Sequence, residues 1–380
     1  MGNSQAAPTI PKTMRRWVLV QVNSDLAKAE LQLESVPTPT PKSGQVLIKV
    51  CAAPVNPSDY GIWSRDRPVT EPESIGSEGS GIVVASGGGV YANSCVGCNV
   101  GFTANVKGSN SYAEFIVVDA LKGAYKLPAS VPVKDAASHF VNPYTAYGFI
   151  DTVRARHVAH PKKSPTPGFI QTAAASQLGQ MLVKLCLKES ITVINLVRRE
   201  EQAEALRAIG AKFVLVTKGD TWKEELKVLI KEHGIQFAFD AVAGEMTGEL
   251  LSVLPFKGTC FVFGRLSNQG CANIQPLDLI YMQKKLEGWF LKTWATSGGL
   301  FATQRRISGA TSVVHEGLAP VVEGKEGAPG AGWARTKFEE CSIEDMHTRF
   351  LDFYANGFTG RKLCMVMKSD EAASSEEQKK

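Results

Sequence analysis

Residues 168–199 read GFIQTAAASQLGQMLVKLCLKESITVINLVRR. A short apolar run opens the segment, a turn of small and polar residues follows, then an amphipathic stretch at helical spacing, then a second apolar run rich in β-branched residues. The order is strand, tight loop, helix, strand. It recurs downstream, where AKFVLV (211–216), QFAFDAV (236–242) and TCFVFG (259–264) alternate with helical stretches such as EEQAEALRAIG and TWKEELKVLIKEHG, and WFLKTW (289–294) is expected as a sixth strand. Parallel neighbours need a crossover, and crossover helices cover both faces of the sheet, so the pattern predicts a doubly wound parallel α/β sheet of Rossmann type.

Upstream the period changes. From Trp17 to about Tyr125, short β runs (WVLVQV, QVLIKVCAAPV, GIVVA, YAEFIVVDA) are separated by Pro, Gly and Asn, which reads as an antiparallel, barrel-like β domain. Gly87–Gly89 follows GIVVA without a helical pattern behind it and is read as a turn, not a phosphate loop. Beyond the parallel sheet, Glu323 to Gly332 looks like a surface insertion, and Ser342 to Met367 reads as a helix and then a strand, LCMVM, with which the chain returns to its first domain. The expected boundaries are a disordered leader at 1–15, the β domain at 16–143, the Rossmann domain at 144–300, the return at 301–368 and a disordered tail at 369–380.

With 44% hydrophobic and 21% charged residues in 380, the chain can bury two cores. A net charge of +5 without long Lys/Arg blocks gives no support to a nucleic-acid partner and suits a small anionic ligand. No apolar run reaches the roughly 18 residues of a membrane span. Eight cysteines spread along the chain make no compact disulfide scaffold and point to a reducing compartment. Cytoplasmic location is expected. A mitochondrial presequence is the alternative, since Lys12, Arg15 and Arg16 precede the first acidic residue, Asp25, although Pro8 and Pro11 interrupt a helix. Met1-Gly2-Asn3-Ser4 begins like a myristoylation signal but has Ala6 where Ser or Thr is wanted.

The loop after the first Rossmann strand must let a pyrophosphate approach a helix amino terminus. Aligned on its last glycine, the usual three-glycine pattern becomes Ala174, Ser176 and Gly179, with Gln177 and Leu178 between. Small residues permit the close approach, and Ser176 and Gln177 offer polar contacts. About twenty residues on, where an NAD site places a carboxylate for the ribose hydroxyls, stand Arg198 and Arg199. Guanidinium forks suit the additional ribose phosphate of NADPH, whereas Glu200 and Glu201 belong to the next helix, whose first turn favours carboxylates.

Several further segments carry a resemblance: Val55-Asn56-Pro57-Ser58-Asp59, Gly76-Ser77-Glu78-Gly79-Ser80-Gly81, Ser111-Tyr112-Ala113-Glu114, Asn142-Pro143-Tyr144-Thr145-Ala146-Tyr147 and Phe239-Asp240-Ala241-Val242-Ala243-Gly244. In this order, over about residues 16 to 368, they resemble the quinone oxidoreductase and enoyl reductase branch of the medium-chain dehydrogenase/reductase superfamily. The resemblance implies a GroES-like catalytic domain with an inserted Rossmann domain. The zinc alcohol dehydrogenases of that superfamily have Cys where this chain has Asn56 and His where it has Ser77, so no catalytic metal is expected. No histidine precedes His139, in keeping with this. Cys95 and Cys98 supply only half of a structural-zinc pattern.

The resemblance further implies that the Asn56–Tyr60 loop lies beside the nicotinamide, with Thr145 near the ring. Val242, Ala243, Phe263 and Gly264 would line the nicotinamide half, and Phe290 and Leu291 its border with the substrate. Without a metal to polarise a simple ketone, the expected chemistry is hydride transfer to a small electrophile that spreads charge itself, a quinone or an α,β-unsaturated carbonyl. Tyr60 is the candidate proton donor, with the Asn56 amide, a backbone N–H or water as alternatives. A trans-2-enoyl-thioester reductase is a second possibility. Against it, that branch's important tyrosine is replaced here by Trp63-Ser64-Arg65-Asp66-Arg67. An NADPH-binding redox sensor or structural protein with little turnover is a third, and a homodimer is the partner the resemblance implies.

Overall fold

The protein is described by a computed structural model covering residues 10–65, 67–158, 167–219, 221–321, 330–356 and 360–367. Two compact units emerge, one of Met1–Val141 with Arg335–Lys380, the other of Asn142–Ala334.

In the first unit the strands are β1 (Thr13–Gln21), β2 (Glu30–Pro37), β3 (Gln45–Pro54), β4 (Glu73–Ser74), β5 (Glu78–Ser86), β6 (Asn99–Thr103), β7 (Phe115–Asp119) and β8 (Ala124–Lys126). Strand β1 therefore starts inside the segment expected as a leader, and its pairing with β2 from Thr13↔Pro37 onward explains why. Strand β3 is central. Its residues Val46, Ile48 and Val50 are buried in the core with Trp17, Leu19, Phe102, Ile116 and Val118. Register shifts at Leu47/Ile48 and Val50/Ala52 interrupt its pairing with β5, and such bulges add bend and twist. A Cβ on Gly81 would run into the Lys49 carbonyl across that pair, so the close approach requires glycine. Gly88 and Gly89, with φ of 106° and 100°, make the expected turn after β5, and a single helical turn, Val90–Asn93, follows it.

The second unit contains β9 (Gly168–Gln171), β10 (Thr192–Val197), β11 (Phe213–Val216), β12 (Phe237–Asp240), β13 (Thr259–Val262) and β14 (Lys285–Gly288). They form one parallel sheet of order β11-β10-β9-β12-β13-β14, the doubly wound arrangement with its order reversing beside β9. β9 is buried at all four positions, as a strand covered on both faces must be. Its one polar side chain, Gln171, donates to Asn195 Oδ1 (2.7 Å) on β10 and to the Gly179 carbonyl (3.1 Å), and Asn195 donates to the Phe213 carbonyl on β11 (2.8 Å). Amides inside the sheet are thus satisfied and tie three strands to a helix.

Two expectations fail here. The sixth strand is Lys285–Gly288, while Leu291–Thr296 is helical. The aromatic residues taken for a strand turn inward instead, with Trp289 donating to Thr152 Oγ1 (3.1 Å) and Trp294 to Asp151 Oδ2 (2.9 Å) on the helix Val141–Val158. The Rossmann unit also does not end at 300. The helix Gly299–Leu318 packs on it through buried Ala310, Val314 and Leu318, Thr311 Oγ1 lies 2.6 Å from the Tyr144 hydroxyl, and Lys188 pairs with Glu316 (2.6 Å). Residues up to Ala334 belong to this unit. Most of the Glu323–Gly332 insertion, the segment before Ile10 and the tail beyond Met367 lie outside the described residues.

The chain then returns as β15 (Phe338–Cys341) and β16 (Lys362–Val366). β16 pairs antiparallel with β3, from Cys364↔Pro54 to Val366↔Ala52, and completes a sheet of order β15-β16-β3-β5-β6-β8, with β7 also on β3.

Candidate functional site

The carboxyl ends of the parallel strands carry the first cluster of interest. After β9 the chain passes through Ala173, whose φ of 50° lies in the left-handed region, and reaches Ser176, the cap of the helix Gln177–Glu189. Ser176 Oγ accepts from the Gly179 N–H (3.1 Å). A Cβ on Gly179 would overlap the Ala174 carbonyl, so helix and loop meet there as the third glycine of a dinucleotide fingerprint demands. Ala174 is buried, its N–H bonded to the Leu196 carbonyl (3.2 Å). The loop presents a helix amino terminus, where unpaired N–H groups and the helix dipole favour an anion.

Arg198 and Arg199 follow β10 directly and both are exposed. The Arg198 backbone is pinned by its N–H to Gln202 Oε1 (3.1 Å). Glu200 and Glu201 open the next helix, and Glu200 is engaged by Arg207 (2.6 Å). Lys218, exposed just past β11, adds a third cation at this edge, since β10 and β11 run parallel up to Val197↔Val216.

Past β12, Asp240 organises the neighbouring loops. It is fully buried, and Oδ1 accepts from the Thr172 hydroxyl (3.1 Å) and from the N–H groups of Val242 (2.8 Å) and Ala243 (3.3 Å), while Oδ2 accepts from the Thr247 hydroxyl (2.7 Å). Its carbonyl receives the Phe263 N–H (3.0 Å). The carboxylate thus holds the turns after β9 and β12, including Ala243 at φ 61°, while the backbone carbonyl of the same residue holds the turn after β13. Phe263 and Gly264 are partly exposed, Phe263 packing edge-on to Phe149. Phe290 is 65% exposed and Leu291 half-buried. Thr145 is buried in the helix Val141–Val158.

A second cluster lies in the first unit. Asn56, extended ahead of the short helix Pro57–Trp63, donates its N–H to Asp59 Oδ2 (2.9 Å). The Asn56 side chain bridges two charges, accepting from Lys362 Nζ (2.7 Å) and donating to Glu78 Oε1 (3.0 Å). Glu78 Oε2 accepts the N–H groups of Phe140 (2.9 Å) and Val141 (2.8 Å). Asp59 meets the Tyr112 hydroxyl (2.9 Å) and the Ser77 hydroxyl. Burial pushes the carboxyls of Asp59 and Glu78 upward and the Lys362 ammonium downward, against the opposing pull of their partners.

Asn56 is fully buried with both ends of its amide engaged, so it braces the charged cluster. Tyr60 packs tilted against Phe350 (5.6 Å) and edge-on to Tyr354 (5.8 Å), and burial, reinforced by Tyr354 and Asp59, raises its hydroxyl well above the usual phenol range. Lys362, Glu78 and Asp240 were not assigned roles from sequence. Lys362 had a signal, a charged residue at the head of the apolar strand LCMVM.

The comparisons with known proteins agree with this architecture. Residues 42–129 match the alcohol dehydrogenase GroES-like domain and residues 178–302 the zinc-binding dehydrogenase domain. The mitochondrial enoyl-[acyl-carrier-protein] reductase of Xenopus tropicalis is 30% identical over 271 residues, 70% of this chain and 74% of that one. The chain belongs to the medium-chain dehydrogenase/reductase superfamily. Within that superfamily, prostaglandin reductase-3 of Mus musculus is 28% identical over 292 residues, covering 74% of each chain. A crystal structure described as an NADPH:quinone reductase from Mesorhizobium loti superimposes with a TM-score of 0.78 at 26% identity, over 94% of this chain and 100% of that one. A mycobacterial structure holding NADPH has the same fold (TM-score 0.72, 23% identity, 93% and 99% coverage).

This superfamily is one of oxidoreductases using nicotinamide cofactors, and the small-residue loop, Gly179 and the exposed arginines fit such a nucleotide. A zinc ion does not fit. The superfamily's metal position holds an amide and a hydroxyl here, and the Lys362 ammonium lies 2.7 Å from Asn56 and 4.0 Å from Glu78, where it already neutralises the carboxylate. Among the described residues no group of three or more His, Cys, Asp or Glu side chains has metal-holding geometry, all eight cysteines are free thiols, and no helix is long and apolar enough to cross a membrane.

Proposed function

We propose that this protein is a zinc-independent, NADPH-dependent reductase of quinones or α,β-unsaturated carbonyls. The observation that carries the cofactor choice is the end of β10, which offers exposed Arg198 and Arg199 with no Asp or Glu directly after the strand until the helix begins. Bound NADPH supplies hydride. Ser176 and the helix start at Gln177 and Leu178 would receive its pyrophosphate, Arg198 and Arg199 its ribose phosphate, and the Asp240-braced turns at Val242, Ala243, Phe263 and Gly264 its nicotinamide half. Thr145, Phe290 and Leu291 are assigned to the same half.

The chain itself must furnish a proton and a place for developing negative charge. A conjugated acceptor spreads that charge over its own carbonyl, which removes the need for a metal. Enoyl thioesters fall within this chemical class, and the Xenopus tropicalis relative is named for such a reaction. The segment Trp63–Arg67, however, has no tyrosine where that branch has one, and Trp63 at its head is 1% exposed and packed on Phe350 (5.0 Å).

A second copy of the chain is the proposed partner. β14 is an open edge of the parallel sheet, and Leu277 (64%), Ile280 (63%) and Tyr281 (72%) stand exposed just before it, an apolar strip that edge pairing would cover. A cytoplasmic or mitochondrial matrix setting, both reducing, suits the free thiols.

Fluorescence titration with NADPH, then addition of quinones, enones and enoyl thioesters, tests the reading. Binding followed by oxidation on one class supports it; binding without oxidation on any acceptor leaves a nucleotide sensor. Arg198→Asp is expected to weaken NADPH by roughly 10- to 100-fold, the equivalent of one charge-assisted phosphate contact, and to spare NADH. Equal loss for both nucleotides refutes the cofactor assignment.

A further inference from the structure

Cys95 and Cys98 stand apart from the charged cluster of their unit. The ladder between β5 and β6 runs from Glu78↔Thr103 at one end to Ile82↔Asn99 at the other, and Cys98 immediately precedes Asn99. Glu78 thus marks one end of the ladder and the thiols the opposite end. The proposed reduction makes no use of them, and among the described residues no third His, Cys, Asp or Glu joins them as a metal ligand.

Their backbone holds them close. The Cys98 N–H donates to the Cys95 carbonyl (2.9 Å), with Gly97 at φ 81° making the corner between them. Residues that close a hydrogen-bonded four-residue turn keep their Cα atoms within about 7 Å, and a disulfide spans Cα separations of about 4.4–6.8 Å. The side chains share a direction as well. Each thiol donates to the carbonyl four positions before it, Cys95 to Tyr91 (3.3 Å) and Cys98 to Ser94 (3.6 Å), so both sulfurs lean back over the single helical turn Val90–Asn93 and its cap. Val96 and Gly97 are exposed, Cys98 is half-buried and Cys95 is fully buried. A reagent from solution therefore meets Cys98 first.

A cation faces the pair. Lys126, at the end of β8, donates to the Ser94 carbonyl (2.8 Å) and to the Ser94 hydroxyl (3.0 Å), so the carbonyl that receives the Cys98 thiol also receives an ammonium. Burial pushes the Cys95 thiol up, Lys126 pulls it back, and the neighbouring Cys98 adds to the rise. We propose that Cys95 and Cys98 form a dithiol–disulfide site that exchanges with low-molecular-weight disulfides. The Cys98 thiolate attacks one sulfur of the small disulfide, whose S–S bond breaks and releases one small thiol. Cys95, deprotonated beside Lys126, then attacks Cys98 in the mixed disulfide, forming the Cys95–Cys98 bond and releasing the second small thiol. Two protein thiols are oxidised, one small disulfide is reduced, and the protons lost by the protein end on the two small thiols. Excess small thiol drives both steps backwards.

Incubation of the full chain with oxidised glutathione, followed by alkylation of the remaining thiols and peptide mass spectrometry, reads the site directly. The expected product is a peptide in which Cys95 and Cys98 are joined to each other and carry neither an alkyl group nor glutathione, and reduced glutathione in excess should return both thiols to alkylation. The exposed Cys271, by taking a glutathione adduct, reports that the reagent has acted. In Cys95→Ser the exchange should stop halfway, with glutathione held on Cys98. A wild-type chain that keeps glutathione on Cys98, or whose Cys95 and Cys98 both remain open to alkylation after Cys271 has reacted, overturns the proposal. Neither readout depends on nucleotide or on turnover, so the site stands or falls separately from the proposed function.

Discussion

The two units each bury carboxyl groups and satisfy them by different means. Asp240, in the parallel-sheet unit, takes four donors from two threonine hydroxyls and two backbone N–H groups, with no cation among the partners described. Asp59 and Glu78, in the GroES-like unit, share an amide, a phenol, a serine and one ammonium. Neutral donors fix geometry but leave charge in place, so Asp240 is a brace for loops. A cluster with its own counter-ion couples its members' protons to one another, so a change at one is felt by the rest.

The largest expected break in this comparison is Lys362→Met. It strands the buried Glu78 and should cost about 3–5 kcal/mol, read from denaturant midpoints. Pairing it with Glu78→Gln should recover part of that loss, whereas an additive result would mean the two groups do not compensate each other. Asp240→Asn is the next largest. An amide presents an N–H₂ where donors already point, and the loss should be about 1–3 kcal/mol, together with weaker NADPH binding because the turns after β9 and β12 lose their shared anchor.

The pH dependence sharpens the contrast. The Asp59 carboxyl sits above its ordinary value of 3.8, so its contribution is fully present below that value and is lost as pH rises through the higher folded-state value. Melting temperatures measured against pH should show this fall in the wild type and less of it in Asp59→Asn; parallel curves would contradict it. The smallest effect belongs to the surface. Arg67 and Glu73 form a close two-pronged pair with side chains 30% and 43% exposed, and Arg67→Ala should change stability by less than about 1 kcal/mol.

The sequence announced the parallel sheet because strands buried on both faces must be apolar runs and their crossovers must be amphipathic. It failed at Lys285–Gly288, an edge strand whose one large apolar residue is Leu286 and whose neighbour WFLKTW carried the apolar signal for another reason, the packing of Trp289 and Trp294 on Asp151 and Thr152. The boundary at 300 failed similarly, since nothing local in Gly299–Leu318 says which unit its apolar face meets. In the site, Gly179 and the arginines were legible by spacing. The Asp59–Glu78–Lys362 network was not, because its members come from three separate segments and only folding brings them together.

That separation has a consequence for how the molecule is made. Lys362 and Asn56 are 306 positions apart, and β16 follows every other described strand in the order of synthesis. The nascent amino-terminal half therefore emerges carrying two buried acids without their balancing base, while the intervening sheet already has every strand it needs. Synthesis should finish the nucleotide-type unit first and hold the other open, so that a protein clipped before its final strand keeps one half folded and forfeits the other.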